Sequence, residues 1–150
     1  MTDPTSQWGP RGDFTISCEV DAPRQVVFAA YTSPEAIPHF WSPEGVDIPP
    51  ESVELDPVPG GAFNMVMKVG DDAYPMTGTF ADISEPEYVQ FHEPGLDIRC
   101  TISFDDLGDG RTRVTVLQTN VPEELRGENA RLGYESSFRR LAAYLGGTPA

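Results

Sequence analysis

The stretch from Pro122 to Gly146 constrains this chain most, because it is the one long run with helical periodicity in a sequence otherwise patterned for strands. Pro122 suits a first helical turn, Glu123 and Glu124 favour the positive N-terminal end of the helix dipole, and Gly146-Gly147 can stop the helix. At about 100° per residue, Gly127, Ala130, Tyr134, Ser137, Phe138, Leu141 and Leu145 share one face. That face is graded, small at Gly127 and Ala130 and bulky from Tyr134 onward. Such a helix seals a core at one end and leaves volume at the other, so the pattern predicts a lid-like helix over a cavity.

Most of the preceding chain alternates with period two, the mark of half-buried strands. Phe14, Ile16, Cys18 and Val20 face inward on a first strand, and residues 1–12, without apolar periodicity, read as a flexible tail. Asp21 can cap a helix opened by Ala22-Pro23, with Val26, Val27, Ala30 and Tyr31 on its apolar side. A second short helix opens at Ser33-Pro34-Glu35 and ends at His39-Phe40-Trp41. Strands are expected around 51–56, from Phe63 to Val69, from Tyr74 to Phe80, from Tyr88 to His92, from Leu96 to Phe104, and through Val114, Val116 and Gln118 after a Gly108-Asp109-Gly110 turn. A sheet with one buried face needs cover, and the last helix is the long amphipathic element able to give it. The expected class is therefore α+β: a curved antiparallel sheet of about six to seven strands gripping the C-terminal helix, with two short helices after the first strand. With no fixed-period repeat or low-complexity linker, residues 13–147 read as one domain.

Composition bears mainly on partners. The net charge of -14, from 24 acidic and 10 basic residues, argues against nucleic acid and against a membrane surface as partners. No apolar stretch is long enough for a membrane span or signal peptide, so the expected location is cytoplasmic. The 2 cysteines lie in apolar strand patterns, where a buried free thiol is the expected state. His39 and His92 are the only imidazoles, and neither has a second ligand at metal spacing, so no metal and no other cofactor is expected. Gly133-Tyr134-Glu135-Ser136-Ser137 lacks the strand-to-helix elbow of a nucleophile motif, and Pro59-Gly60-Gly61 leads into a strand rather than a phosphate-binding helix.

Several short motifs, in order, carry a resemblance. They are Asp21-Ala22-Pro23 with Val27-Phe28, Phe40-Trp41-Ser42-Pro43, Pro59-Gly60-Gly61-Ala62-Phe63, Gly78-Thr79-Phe80 with Pro86 and Tyr88-Val89, and Gly133-Tyr134 followed by Phe138-Arg139-Arg140-Leu141. From about Phe14 to Leu145 the chain resembles the START-like (SRPBCC) superfamily, within it the group homologous to the activator of the heat-shock-protein ATPase. The resemblance implies the helix-grip fold and a role among ligand binders and polyketide cyclases. The family usually has Trp where Tyr134 stands, and the chaperone-binding domain of the activator itself has no counterpart in the matching motifs, so a chaperone partner is the least expected reading. In the resembled fold the last strand lies between the two cysteine-bearing strands, which sets the thiols about 9–10 Å apart, beyond the roughly 7 Å reach of a disulfide.

The expected function is thus a small-molecule binder holding an apolar or aromatic ligand between sheet and C-terminal helix. Its ligand-binding residues are expected to be Trp41, Met65, Met67, Met76, Gln118, Ala130, Tyr134 and Phe138: adaptable sulfur, aromatic rings with polar tips, one inward amide and one small residue. No catalytic residue is assigned. The alternative is a cofactor-free cyclase or dehydratase in the same cavity, with Tyr134, His39 or Arg131 polarising a carbonyl. Arg131 borders the small half of the face, where its other expected role is an ion pair with Glu128 or Glu135.

Overall fold

The computed structural model describes residues 5–8, 13–42, 45–93, 98–119 and 128–145. Strands β1 (Thr5–Trp8) and β2 (Phe14–Val20) are followed by helices α1 (Arg24–Tyr31) and α2 (Ile37–Phe40). Then come β3 (Glu54–Leu55), β4 (Phe63–Val69), β5 (Asp72–Met76), β6 (Thr79–Ser84), β7 (Tyr88–Glu93), β8 (Ile98–Gly108), β9 (Arg111–Thr119) and helix α3 (Glu128–Leu145). The fold is α+β and of helix-grip type. A six-stranded sheet has the order β1-β2-β9-β8-β7-β6, and a smaller sheet the order β3-β4-β5. Helix α1 packs on β8 and β9, and α3 packs on β2 and α2, so all three helices gather over one face.

That face is the one period-two spacing assigns. Phe14, Ile16, Cys18 and Val20 on β2, Val114 and Val116 on β9, and Cys100, Ile102 and Phe104 on β8 are all buried. Gly108, Asp109 and Gly110 all take positive φ between β8 and β9, the tight-turn geometry that glycine-rich sequence favours. Helix α3 ends at Leu145, immediately before Gly146-Gly147. Its expected start at Pro122 and the small Gly127 fall outside the described residues, as does the side chain of Ala130.

Five expectations are corrected. Thr5–Trp8, read as part of a tail, pairs antiparallel with β2, a backbone ladder that needs no apolar alternation. The run from Tyr74 to Phe80 is two strands in different sheets, broken at Thr77-Gly78. A Cβ at Gly78 would lie 2.9 Å from the His92 carbonyl oxygen, so the missing side chain permits the crossing. Across this break the sheets stay linked, by Phe63 N–H donating to the Gly78 carbonyl (3.0 Å) and Phe80 N–H to the Gly61 carbonyl (2.9 Å). Residues 51–56 hold a 3-10 turn, Pro50–Ser52, before the short β3. Asp21 does not cap α1: Pro23 occupies that position, and the Asp21 carboxylate stands 3.8 Å from Arg111 Nε. Val26, placed on the apolar side of α1, is 47% exposed.

Cys18 and Cys100 are free and buried. Strand β9 does lie between theirs, but the register also offsets them, since Cys18 is opposite Val114 and Cys100 is opposite Gln118. Four residues of stagger along β9 add about 13 Å to the separation across it. Among the described residues no helix is long and apolar enough to cross a membrane.

Candidate functional site

The seam between α2 and α3 is built from unsatisfied carbonyls. Helix α2 is a single turn, so its last carbonyls have no partner within it. Helix α3 supplies the donors: Ser137 Oγ donates to the Phe40 carbonyl at 2.6 Å. Arg140 Nη1 donates to the Ser42 carbonyl (2.5 Å) and Oγ (3.1 Å), and Nη2 to the Pro38 carbonyl (3.4 Å). Ser42 is fully buried and passes its own proton to the Val46 carbonyl at 2.6 Å. These bonds fix where Trp41 sits, because it lies between Phe40 and Ser42.

Trp41 then bridges helices and sheets. Its ring centroid is 5.0 Å from Phe63, 5.5 Å from Phe91 and 6.1 Å from Tyr31. Phe63 stacks on Phe91 at 4.4 Å and meets Phe80 edge-on at 5.3 Å. Tyr31 in turn packs on Phe40 at 4.9 Å and Phe104 at 5.4 Å. Offset and edge contacts of this kind add orientation to the burial of ring area. The chain of rings runs from α1 to both sheets.

Beside it lies a cavity of about 20 Å³, lined by Tyr31, Trp41, Ile102, Val116, Tyr134 and Ser137. That is room for a water or two. The cavity is framed by α1, α3, β8, β9 and the residue that follows α2, so it sits between sheet and C-terminal helix. Two of the expected ligand-binding residues, Trp41 and Tyr134, meet there. Met65 and Phe138 are instead buried members of the core. Met67 and Met76 are half-buried against that core, Met76 opposite Met65 across the β4–β5 pair. Gln118 is half-buried opposite Phe14, whose ring lies 5.8 Å from Tyr134.

Sequence reasoning passed over Tyr31 and Ser137. The sequence places Tyr31 on the apolar side of its helix, and its spacing of four from Val27 turns it inward. Periodicity puts Ser137 on the inward face without naming its partner, and the exposed carbonyl end of α2 is the signal that supplies one. Burial pushes the Tyr31 hydroxyl well above its ordinary value, and the nearby Cys18 and Cys100 thiols add to the shift. Burial likewise pushes the Cys18 thiol up to about 12. Both groups stay protonated across the physiological range, which makes them poor nucleophiles, and Tyr31 a neutral part of the cavity lining.

The other expected polar groups lie elsewhere. His39 stacks on Tyr144 at 5.2 Å, on the outer side of the α2–α3 seam. Arg131 Nη1 is 2.7 Å from Glu135 Oε1, the ion pair weighed against a ligand role. Among the described residues, no group of three or more His, Cys, Asp or Glu is placed to hold a metal ion.

A model of the family described as Activator of Hsp90 ATPase homolog 1-like protein matches residues 21–146. Solved structures agree on the fold. A protein from Chromobacterium violaceum is 24% identical with a TM-score of 0.82, over 93% of this chain and 100% of that one. A protein from Rhodobacter sphaeroides is 19% identical with a TM-score of 0.84, over 95% and 97%. The AHSA1 protein of Silicibacter pomeroyi is 22% identical with a TM-score of 0.75, over 89% and 97%. No curated protein matches the sequence.

Proposed function

We propose a function from one premise: this chain belongs to the Activator of Hsp90 ATPase homolog 1-like family. It is a cytoplasmic binder of an apolar or aromatic small molecule, held between the sheet and α3. The observation that carries the reading is the cavity at Trp41 and Tyr134, walled by aromatic and aliphatic side chains with a few polar tips, the composition of small-molecule sites. Its volume is far below the several hundred cubic ångströms of a ligand pocket. A ligand therefore enters only if a wall moves, and the wall to move is the Tyr134 turn of α3, because Ser137 and Arg140 tie down the turns that follow.

The test uses the two tryptophans, Trp8 and Trp41. With Trp8→Phe, the remaining emission reports on Trp41 alone. Native mass spectrometry of freshly purified protein should show a bound small molecule, and an uncharged aromatic probe such as N-phenyl-1-naphthylamine should change Trp41 emission. No added mass together with no change in emission would remove the reading.

A second reading, a cofactor-free cyclase or dehydratase acting in the same cavity, is favoured only by Tyr134, the one of its three expected groups that lines the cavity. Turnover of a polyketide-type substrate that survives Tyr134→Phe unchanged would count against it.

A further inference from the structure

The cavity wall contains a hydroxyl that no hydrogen bond among the described residues uses. Tyr31 is 3% exposed, and its ring is held by Phe40, Phe104 and Trp41. Its hydroxyl makes no hydrogen bond among the described residues. No fully occluded side-chain oxygen or nitrogen among them lacks a partner. The Tyr31 oxygen is therefore not fully occluded, in a residue that lines the cavity. Ser137, by contrast, has given its proton to the Phe40 carbonyl.

A buried hydroxyl with unused bonding capacity favours a guest that completes it and penalises one that does not. The six lining residues include no charged side chain. Of the cations on the neighbouring helical turns, Arg131 is ion-paired with Glu135, and Arg140 bonds the Ser42 and Pro38 carbonyls. A buried anion would find no counter-charge in this lining, in a protein that already carries a net charge of -14. Tyr31 itself stays neutral, because burial raises its pKa.

We infer that Tyr31 is the specificity-determining residue of this cavity: its hydroxyl hydrogen-bonds the polar tip, a phenol hydroxyl or carbonyl, of a neutral aromatic ligand. The inference rests on the ligand-binding reading above. Three probes of one ring size test it by NMR-detected titration: 4-chlorophenol, chlorobenzene and 4-chlorobenzoate. Wild type should bind 4-chlorophenol at least about tenfold more tightly than 4-chlorobenzoate. Tyr31→Phe should lower the affinity ratio of 4-chlorophenol to chlorobenzene by about threefold to tenfold, while Tyr74→Phe, at an exposed tyrosine outside the lining, leaves that ratio in place. If both neutral probes bind and Tyr31→Phe does not move their ratio, or Tyr74→Phe moves it equally, the role of Tyr31 is overturned. Tight binding of 4-chlorobenzoate overturns the neutral ligand class. A Tyr31→Phe protein that melts well below wild type also overturns the inference, since the hydroxyl would then be bonding within the fold. If wild type binds neither neutral probe, the ligand-binding reading itself fails and this inference falls with it.

Discussion

The two parts of α3 on either side of Ser137 meet the protein differently. From Ser137 onward the helix is fixed: Phe138 and Leu141 are fully buried, and Ser137 and Arg140 bond the carbonyls at the end of α2 and at Ser42. Before Ser137, Tyr134 lines a cavity, Leu132 is 48% exposed, and a Cβ built on Gly133 meets nothing within 4 Å. One amphipathic helix thus combines an anchor and a cavity wall. The difference comes from what faces each turn rather than from the helix itself.

The sharpest way to break this contrast is truncation in the anchor. Phe138→Ala should cost about 3–5 kcal/mol in urea unfolding, through lost burial and a new void, whereas Tyr134→Ala should cost only about 1–2 kcal/mol because it enlarges space already present. Equal losses would show that α3 is held uniformly. Ser137→Ala should cost about 1–3 kcal/mol, because it leaves the buried Phe40 carbonyl without its donor. A loss under about 0.3 kcal/mol would remove that bond from the anchor.

The sheet beneath the helices can be probed by pH. With its folded pKa raised to about 12 from an ordinary 9.0, Cys18 stays protonated in the native state while the unfolded chain ionises. The stability it contributes is complete below pH 9 and is lost as pH rises from 9 to 12, at up to about 1.4 kcal/mol per pH unit. Tyr31, also raised, adds to the same decline above pH 10. Cys18→Val should make the alkaline slope shallower, and an unchanged slope between pH 9 and 11 would contradict the buried-thiol account. The smallest effect has the opposite sign: Gly133→Ala should stabilise by about 0.5–1 kcal/mol, since the added methyl group enters open space in a helix interior. A destabilisation there would mean that this turn is already packed.

Strand parity was legible wherever one face is buried, because Phe14 to Val20 and Cys100 to Phe104 carry their burial in their spacing. The change of sheet at Gly78 was not legible, since Tyr74, Met76 and Phe80 keep one parity through the break. Strand β1 was equally silent, being specified by backbone pairing to β2. At the site, the large aromatics stand out by type, and Trp41 and Tyr134 line the cavity. Whether a methionine lines a space or fills it depends on neighbours distant in sequence, and so Met65 joined the core. Tyr31 and Ser137 were hidden for a related reason: a hydroxyl's role depends on its partner, and Ser137's partner lies 97 residues away in the chain.

The burial of Cys18 and Cys100 makes the folded protein chemically quiet toward thiol reagents. A cysteine introduced at exposed Leu132 would be the one readily alkylated site, against two protected native thiols. A spin label or dye attached there would travel with the cavity-side turn of α3, giving a direct ruler for the opening that a ligand requires.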